Sequence, residues 1–191
     1  MKTLHYFGIT LLIAFMSVTI SSCSKNDDEK IDMKASTVEM QYFLDIRKGI
    51  LNCIDITVEY YNGSGTTKEN ITKENYNWEK NIKTGLPVKL GYRIIMKLKT
   101  GVNVSELEKE LSGTPFLLLN QFGYTYYVYN SAGRILSSEN MYDAYYLIDK
   151  SLISKWASNP SNVYETSLIL EFNSDGRKII TDEPTLKTRP V

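Results

Sequence analysis

The chain has 191 residues, with 22 basic and 22 acidic residues, 14 Tyr, two Cys and one His. Balanced charge excludes a basic field for nucleic acid and a strong steering field of either sign. The histidine is His5, so beyond that position there is nothing for Ser-His-Asp or Cys-His catalysis, an imidazole base or a His-ligated metal.

Lys2 and the apolar run from Phe7 to Ile20 open the chain. The run is about 14 residues, within the range of an export signal and short of the ~20 needed to span a bilayer. It closes on Ile20-Ser21-Ser22-Cys23. That order of positive charge, apolar run, small residues and cysteine resembles the lipobox of bacterial lipoproteins. The resemblance implies that residues 1–22 are a signal peptide removed before Cys23. It also implies that the Cys23 thiol carries a diacylglyceryl group and that its new amine is acylated. One acyl chain holds a protein only marginally; two or more anchor it stably, at ~0.8 kcal/mol per buried CH₂. The acidic run Ser24-Lys25-Asn26-Asp27-Asp28-Glu29 is similar to the export motif of surface lipoproteins in Bacteroidota-type bacteria. The implied address is the outer membrane, lipid-anchored at the cell surface, with the periplasmic face as the alternative.

Taking the 22 signal residues from 191 leaves 169, with 21 bases against 22 acids because Lys2 is lost. That length is one domain, with a core large enough to need no staples. With Cys23 lipidated, Cys53 stands alone, so neither a disulfide nor a Cys-based zinc site is expected. Cys53 sits between apolar neighbours and reads as a small buried hydrophobe.

Residues 23–36 read as a polar tether, and residues 37–181 as the folded domain. Met40 to Ile46 alternates as a strand. Ile54, Ile56, Val58 and Tyr60 alternate with Asp55, Thr57, Glu59 and Tyr61, the period of a half-buried strand. Asn62-Gly63-Ser64-Gly65 turns the chain into a polar return arm, Thr66 to Thr72. Tyr76, Trp78, Lys80 and Ile82 form a further alternating run, with Trp78 as the expected core aromatic. Val88 to Leu98 is a long strand with one apolar face; Lys89, Arg93, Lys97 and Lys99 read as a solvated basic face. Asn103 to Leu111 reads as a short helix capped by Asn103. Phe116 to Leu119 is a short apolar run. Phe122, Tyr124, Tyr126 and Val128 are expected inward, leaving Tyr127 and Tyr129 outward, and Arg134 to Leu136 pairs back. Met141, Tyr145, Ile148, Leu152 and Trp156 recur at spacings of three and four, predicting a helix over 139–156. Tyr164 to Phe172 alternates again, Asn173-Ser174-Asp175-Gly176 turns, and Arg177 to Ile180 returns. Too few carboxylates surround Asp175 for a calcium loop. Residues 182–191 read as a flexible tail.

Alternating strands without a βαβ rhythm predict a mainly β protein, an antiparallel β-sandwich with one or two inserted helices. The alternative is a small lipocalin-like barrel. Ile54-Asp55-Ile56-Thr57-Val58-Glu59-Tyr60, the Gly-rich hairpin, Trp78 and Gly91-Tyr92-Arg93-Ile94 resemble uncharacterised Bacteroidota-type surface lipoproteins with an immunoglobulin-like domain. Only the sandwich shape is implied, since the immunoglobulin disulfide has no cysteines to form it.

The expected function is a membrane-anchored, non-catalytic binding or interaction module for a glycan or an envelope protein, with no cofactor, no metal and no nucleic-acid partner. Outward Tyr61, Tyr127 and Tyr129 are the candidate ligand contacts, because Tyr offers a rigid apolar ring with a polar tip. One alternative is a structural or assembly subunit of an outer-membrane complex. The other is a carboxylate glycoside hydrolase drawing on acids such as Asp55, Glu59, Glu165 and Glu171.

Overall fold

A computed structural model describes residues 32–111, 119–142, 150–182 and 187–189. The signal peptide over residues 1–22, the lipidation site Cys23 and the run Phe116–Leu118 lie outside the described residues.

The architecture is an antiparallel β-sandwich of two sheets, not a closed barrel. Strand β1 (Ala35–Ile46) keeps an unbroken alternation from Val38 onward: Val38, Met40, Tyr42, Leu44 and Ile46 are all buried on one side. A 3-10 turn, Lys48–Asn52, buries Ile50 and Leu51 and carries the chain across to the second sheet. There β2 (Ile54–Tyr61) and β3 (Thr66–Ile71) form a hairpin. Its turn is held by Asn62 Oδ1, which accepts from the N–H groups of Ser64 and Gly65. Strand β4 (Asn77–Gly85) returns to the first sheet, and β5 (Val88–Leu98) to the second. Helix α1 (Val104–Leu111) is capped by Asn103, whose Oδ1 accepts from the Ser105 N–H at 3.0 Å. It buries Leu107.

Strands β6 (Leu119–Asn130) and β7 (Ile135–Tyr142) follow as a hairpin, then helix α2 (Lys150–Ser158), which lies against α1. Strand β8 (Val163–Phe172) pairs with both β9 (Lys178–Asp182) and β10 (Lys187–Arg189) along one edge. The sheets are therefore β4-β1-β6-β7 and β10-β8-β5-β2-β3, with β9 also on β8. No helix among the described residues is long and apolar enough to cross a membrane.

Three expectations need correction. Of the helix expected over 139–156, the described residues show α2 from Lys150 onward, whereas Glu139 to Tyr142 belong to β7. The three-and-four spacing joined Met141, a strand residue, to Leu152 and Trp156, which α2 buries; Tyr145 and Ile148 lie outside the described residues. The tail expected from residue 182 supplies β10, held by backbone pairing and by ion pairs that carry no hydrophobic period. The folded body also starts before residue 37. Asn130 donates to the Asp32 carbonyl at 2.6 Å, and Ser131 to the Asp32 carboxylate.

Aromatic side chains fill the space between the sheets and also bolt them together. The Tyr42 ring stacks on Trp78 at 6.3 Å and meets Tyr92 edge-on at 5.5 Å. The Tyr42 hydroxyl, from the four-stranded sheet, accepts from the Gly91 N–H and donates to the Tyr61 carbonyl of the other sheet. Tyr92 returns the arrangement, its hydroxyl reaching the Phe43 and Gly123 carbonyls at 3.3 Å each. A buried hydroxyl left unpaired costs about 1–3 kcal/mol, so these contacts select this pairing of the two sheets.

Each long side of the sandwich is closed by one carboxylate. On one side Glu69 of β3 accepts from Tyr60 Oη at 3.0 Å and Trp78 Nε1 at 2.9 Å, and pairs with Lys80 of β4 at 2.8 Å. On the other, Glu139 of β7 accepts from Tyr124 Oη at 3.0 Å and Tyr126 Oη at 3.2 Å, and pairs with Lys178 of β9. Burial pushes both carboxyls up. Hydrogen bonds from the lysine and the two aromatic donors outweigh it, and each is held below its ordinary value of 4.5. Burial, with the Glu139 charge behind it, pushes Tyr126 up to about 12.

A depressed folded-state value means that the unfolded chain takes up protons first. The stabilisation from these carboxylates is therefore complete above the unfolded value and lost as pH falls through the folded one. The melting temperature of the wild type should hold above pH ~4.5 and fall below it. The double variant Glu69→Gln/Glu139→Gln should melt lower at neutral pH and fall less steeply in acid. Calorimetry across the acid range checks both slopes; parallel slopes would remove the two carboxylates from the account.

Candidate ligand-binding face

Strand register assembles a surface that no single stretch of sequence contains. On the outer face of the four-stranded sheet, Glu39 lies between Lys83 and Tyr127, Gln41 between Asn81 and Thr125, and Phe43 between Glu79 and Gly123. These are the positions of β1, β4 and β6 that alternate away from the core.

At one end of this face Tyr127 and Tyr129 sit side by side, ring centres 6.4 Å apart and tilted by 37°. Both are half-buried. Tyr129 is held by its hydroxyl, which donates to Glu39 Oε2 at 3.3 Å, and by Lys83, whose Nζ stands 4.6 Å from the ring centre. Lys83 also lies 3.6 Å from Glu39, and Asn81 donates to the same carboxylate at 3.0 Å. The Asn81 hydrogen bond does most to hold the Glu39 carboxyl below its usual range, against the opposing effect of burial. Tyr129 is pushed up by burial and by the Glu39 charge beside it.

At the other end a groove of about 350 Å³ runs between β1 and β4, lined by Gln41, Phe43, Leu44, Asp45, Asn77, Trp78, Glu79 and Thr125. Gly123 makes room for the Phe43 ring. A Cβ there would stand 2.1 Å from the Met141 carbonyl oxygen and 2.7 Å from Phe43 Cζ, so the Phe43 ring lies across the bare backbone of β6.

The structure thus brings Tyr127 and Tyr129 together and separates Tyr61 from them. Tyr61 is on β2, facing outward from the other sheet, with Lys89 Nζ 5.3 Å from its ring centre. Phe43, Gln41, Asn81 and the Glu39–Lys83 pair did not emerge from the sequence as site residues. Their one signal was the outward phase of residues 39–43 on β1 and 81–83 on β4, and register was needed to give them neighbours.

The outer face of the six-stranded sheet has a different chemistry. Arg93 and Arg189 each bridge Glu59 and Glu165, at 3.5–3.9 Å, and Lys68 pairs with Glu59 at 2.7 Å. Burial opposes ionisation of Glu59. The Lys68 hydrogen bond and the charges of Lys68, Arg189 and Arg93 outweigh it, and the carboxyl is held below its usual range. A general acid needs the opposite shift. Asp55 is mostly exposed and 3.8 Å from Lys99, and Glu171 is exposed. The basic row is interrupted in the same way: Arg93 is engaged by carboxylates, and Lys99 donates to the Leu51 carbonyl at 2.6 Å. Cys53 is buried, and burial pushes its thiol up. Among the described residues no group of three or more His, Cys, Asp and Glu is placed to hold a metal ion.

In comparisons with known proteins, no family model, no curated protein and no solved structure matches this chain.

Proposed function

We propose that this protein is a lipid-anchored component of a bacterial envelope whose sandwich serves as a small, non-catalytic binding module. The anchor half rests on Ile20-Ser21-Ser22-Cys23 and the apolar run before it. Acylation of the Cys23 sulfur and amine would seat the protein in the outer membrane, with its acidic tether leading to the cell surface. The binding half rests on one observation: Tyr127 and Tyr129, fixed by Glu39 and Lys83, share the outer face of the four-stranded sheet with an open groove. Rings held in place lose little freedom on contact, which favours a site over a solvated surface. The partner is a glycan or an envelope protein. A non-catalytic role is supported by Glu59 and Glu165, which are engaged by arginines instead of being poised as an acid and a base.

Replacing Tyr127 with a photo-crosslinking phenylalanine derivative tests this in intact cells. The account expects discrete adducts from position 127 on illumination, and none from the same substitution at Tyr61. Adducts from position 61 with silence at 127 would move the site to the other sheet. Silence at both would remove the binding role.

A further inference from the structure

The charge and ring chemistry of the four-stranded sheet narrow the ligand class, on the premise that this sheet is the binding face. We propose that it takes an uncharged oligosaccharide lying along β1 and β6, with one sugar ring against Phe43 in the groove and another against Tyr127 and Tyr129.

Spacing carries the first part. Phe43 is opposite Gly123, and Tyr127 is four residues further along β6. At about 3.4 Å per residue, the two ring platforms lie roughly 14 Å apart along the strands. Such a distance suits a short chain of rings better than a single small molecule. Between the platforms lie Gln41, Asn81 and Thr125, three uncharged groups that both donate and accept hydrogen bonds. A pyranose needs this pairing of surfaces: an aromatic face under its C–H groups and polar partners around its rim of hydroxyls.

Charge carries the second part. Glu39 and Lys83 neutralise each other. Among the described residues that line the groove, the exposed charged side chain beside Phe43 is a carboxylate, Glu79. It accepts from sugar hydroxyls and repels a uronate or sulfated chain.

Apolarity carries the third. Ile135 reaches this face, at the margin beside Tyr129; among the described residues the other large exposed hydrophobic side chains, Met33, Ile179 and Ile180, lie on other elements. A protein partner would want a dehydrated apolar centre, where this face instead has amides.

Full-length protein in detergent, titrated with neutral gluco-, manno-, galacto- and xylo-hexasaccharides and with a galacturonate hexamer as the anionic probe, tests the assignment. Calorimetry reads binding. At least one neutral hexamer should bind and the galacturonate should not. Phe43→Ala and Tyr127→Ala should each weaken binding by about tenfold or more. Gln41→Trp, at an exposed position, should block the groove, and Tyr61→Ala on the opposite sheet should change nothing. Melting curves identify any variant that fails to fold, in which case Gln41→Trp decides. Binding of the galacturonate in preference, or neutral binding indifferent to Phe43→Ala and Gln41→Trp, overturns the proposal. If no hexamer binds while position 127 crosslinks to an envelope protein in cells, the saccharide is wrong and the face stands. If both are silent, both fall.

Discussion

Replacing Gly91 with alanine should be among the most damaging single changes to this protein, costing roughly 2–6 kcal/mol. Two independent costs combine. Gly91 sits in the middle of β5 with φ at +127°, a conformation that side-chain-bearing residues rarely adopt, at about 1–3 kcal/mol. A Cβ there would also stand 2.1 Å from the Leu168 carbonyl oxygen and 2.8 Å from the Ile169 Cα. Both are backbone atoms of the adjacent strand β8, so relief means parting the strands, with an overpacking cost of about 1–3 kcal/mol. The unusual backbone has a purpose. It turns the Gly91 N–H out of the ladder and toward the Tyr42 hydroxyl at 2.7 Å, so the glycine completes the bolt between the sheets. Gly133 separates the two costs, since its φ is +79° and a Cβ there would meet nothing. In urea unfolding, Gly133→Ala should lose only the conformational part, Gly65→Ala almost nothing, and Gly91→Ala the most. Equal losses at positions 91 and 133 would show that the close approach to β8 does not matter.

Trp78→Ala should cost about 3–5 kcal/mol, the usual range for removing a large buried aromatic. The residue is 3% exposed and touches three tyrosines, stacking on Tyr42 and packing at an angle against Tyr60 and Tyr92. Truncation leaves a cavity where the two sheets are bolted, and it takes one donor from Glu69. Trp78→Phe keeps most of the ring and loses the donor, so it isolates the hydrogen bond at about 1–3 kcal/mol, since Glu69 is left short of a partner. Chemical unfolding of both variants checks the order. A phenylalanine variant as unstable as the alanine one would mean that the indole hydrogen bond outweighs the packing.

Much of the sandwich could be read from alternation alone. Ile54–Tyr61, Val88–Leu98 and Val163–Phe172 each keep one buried face, so a period of two suffices to find them and to send Tyr127 and Tyr129 outward from β6. Strand β7 was read only at its start, Arg134 to Leu136, and the rest escaped because the sandwich edge reverses the usual sign. Glu139 points inward to two tyrosine hydroxyls and Lys178, while Ser137 and Ser138 offer no apolar phase. A carboxylate on the core side of an edge strand has no hydrophobic signature. β10 escaped for a similar reason: Lys187 and Arg189 are fixed by Asp182 and Glu59, partners that are distant or ambiguous in sequence. The candidate face was half legible. Its tyrosines follow from the phase of one strand. Phe43, Gln41, Asn81 and Lys83 join them only through the register of β1 with β4 and β6, a long-range fact absent from local pattern.

Everything proposed about the role of this sandwich assumes that it is tethered outside the cytoplasm by acyl chains on Cys23. Intact-mass spectrometry of the protein extracted from a bacterial membrane fraction measures this directly. The account predicts a chain beginning at Cys23, with a diacylglyceryl thioether and an acylated amine, and release to the soluble fraction for Cys23→Ser. An unmodified Cys23 thiol, or a chain that retains residues before it, would contradict the account.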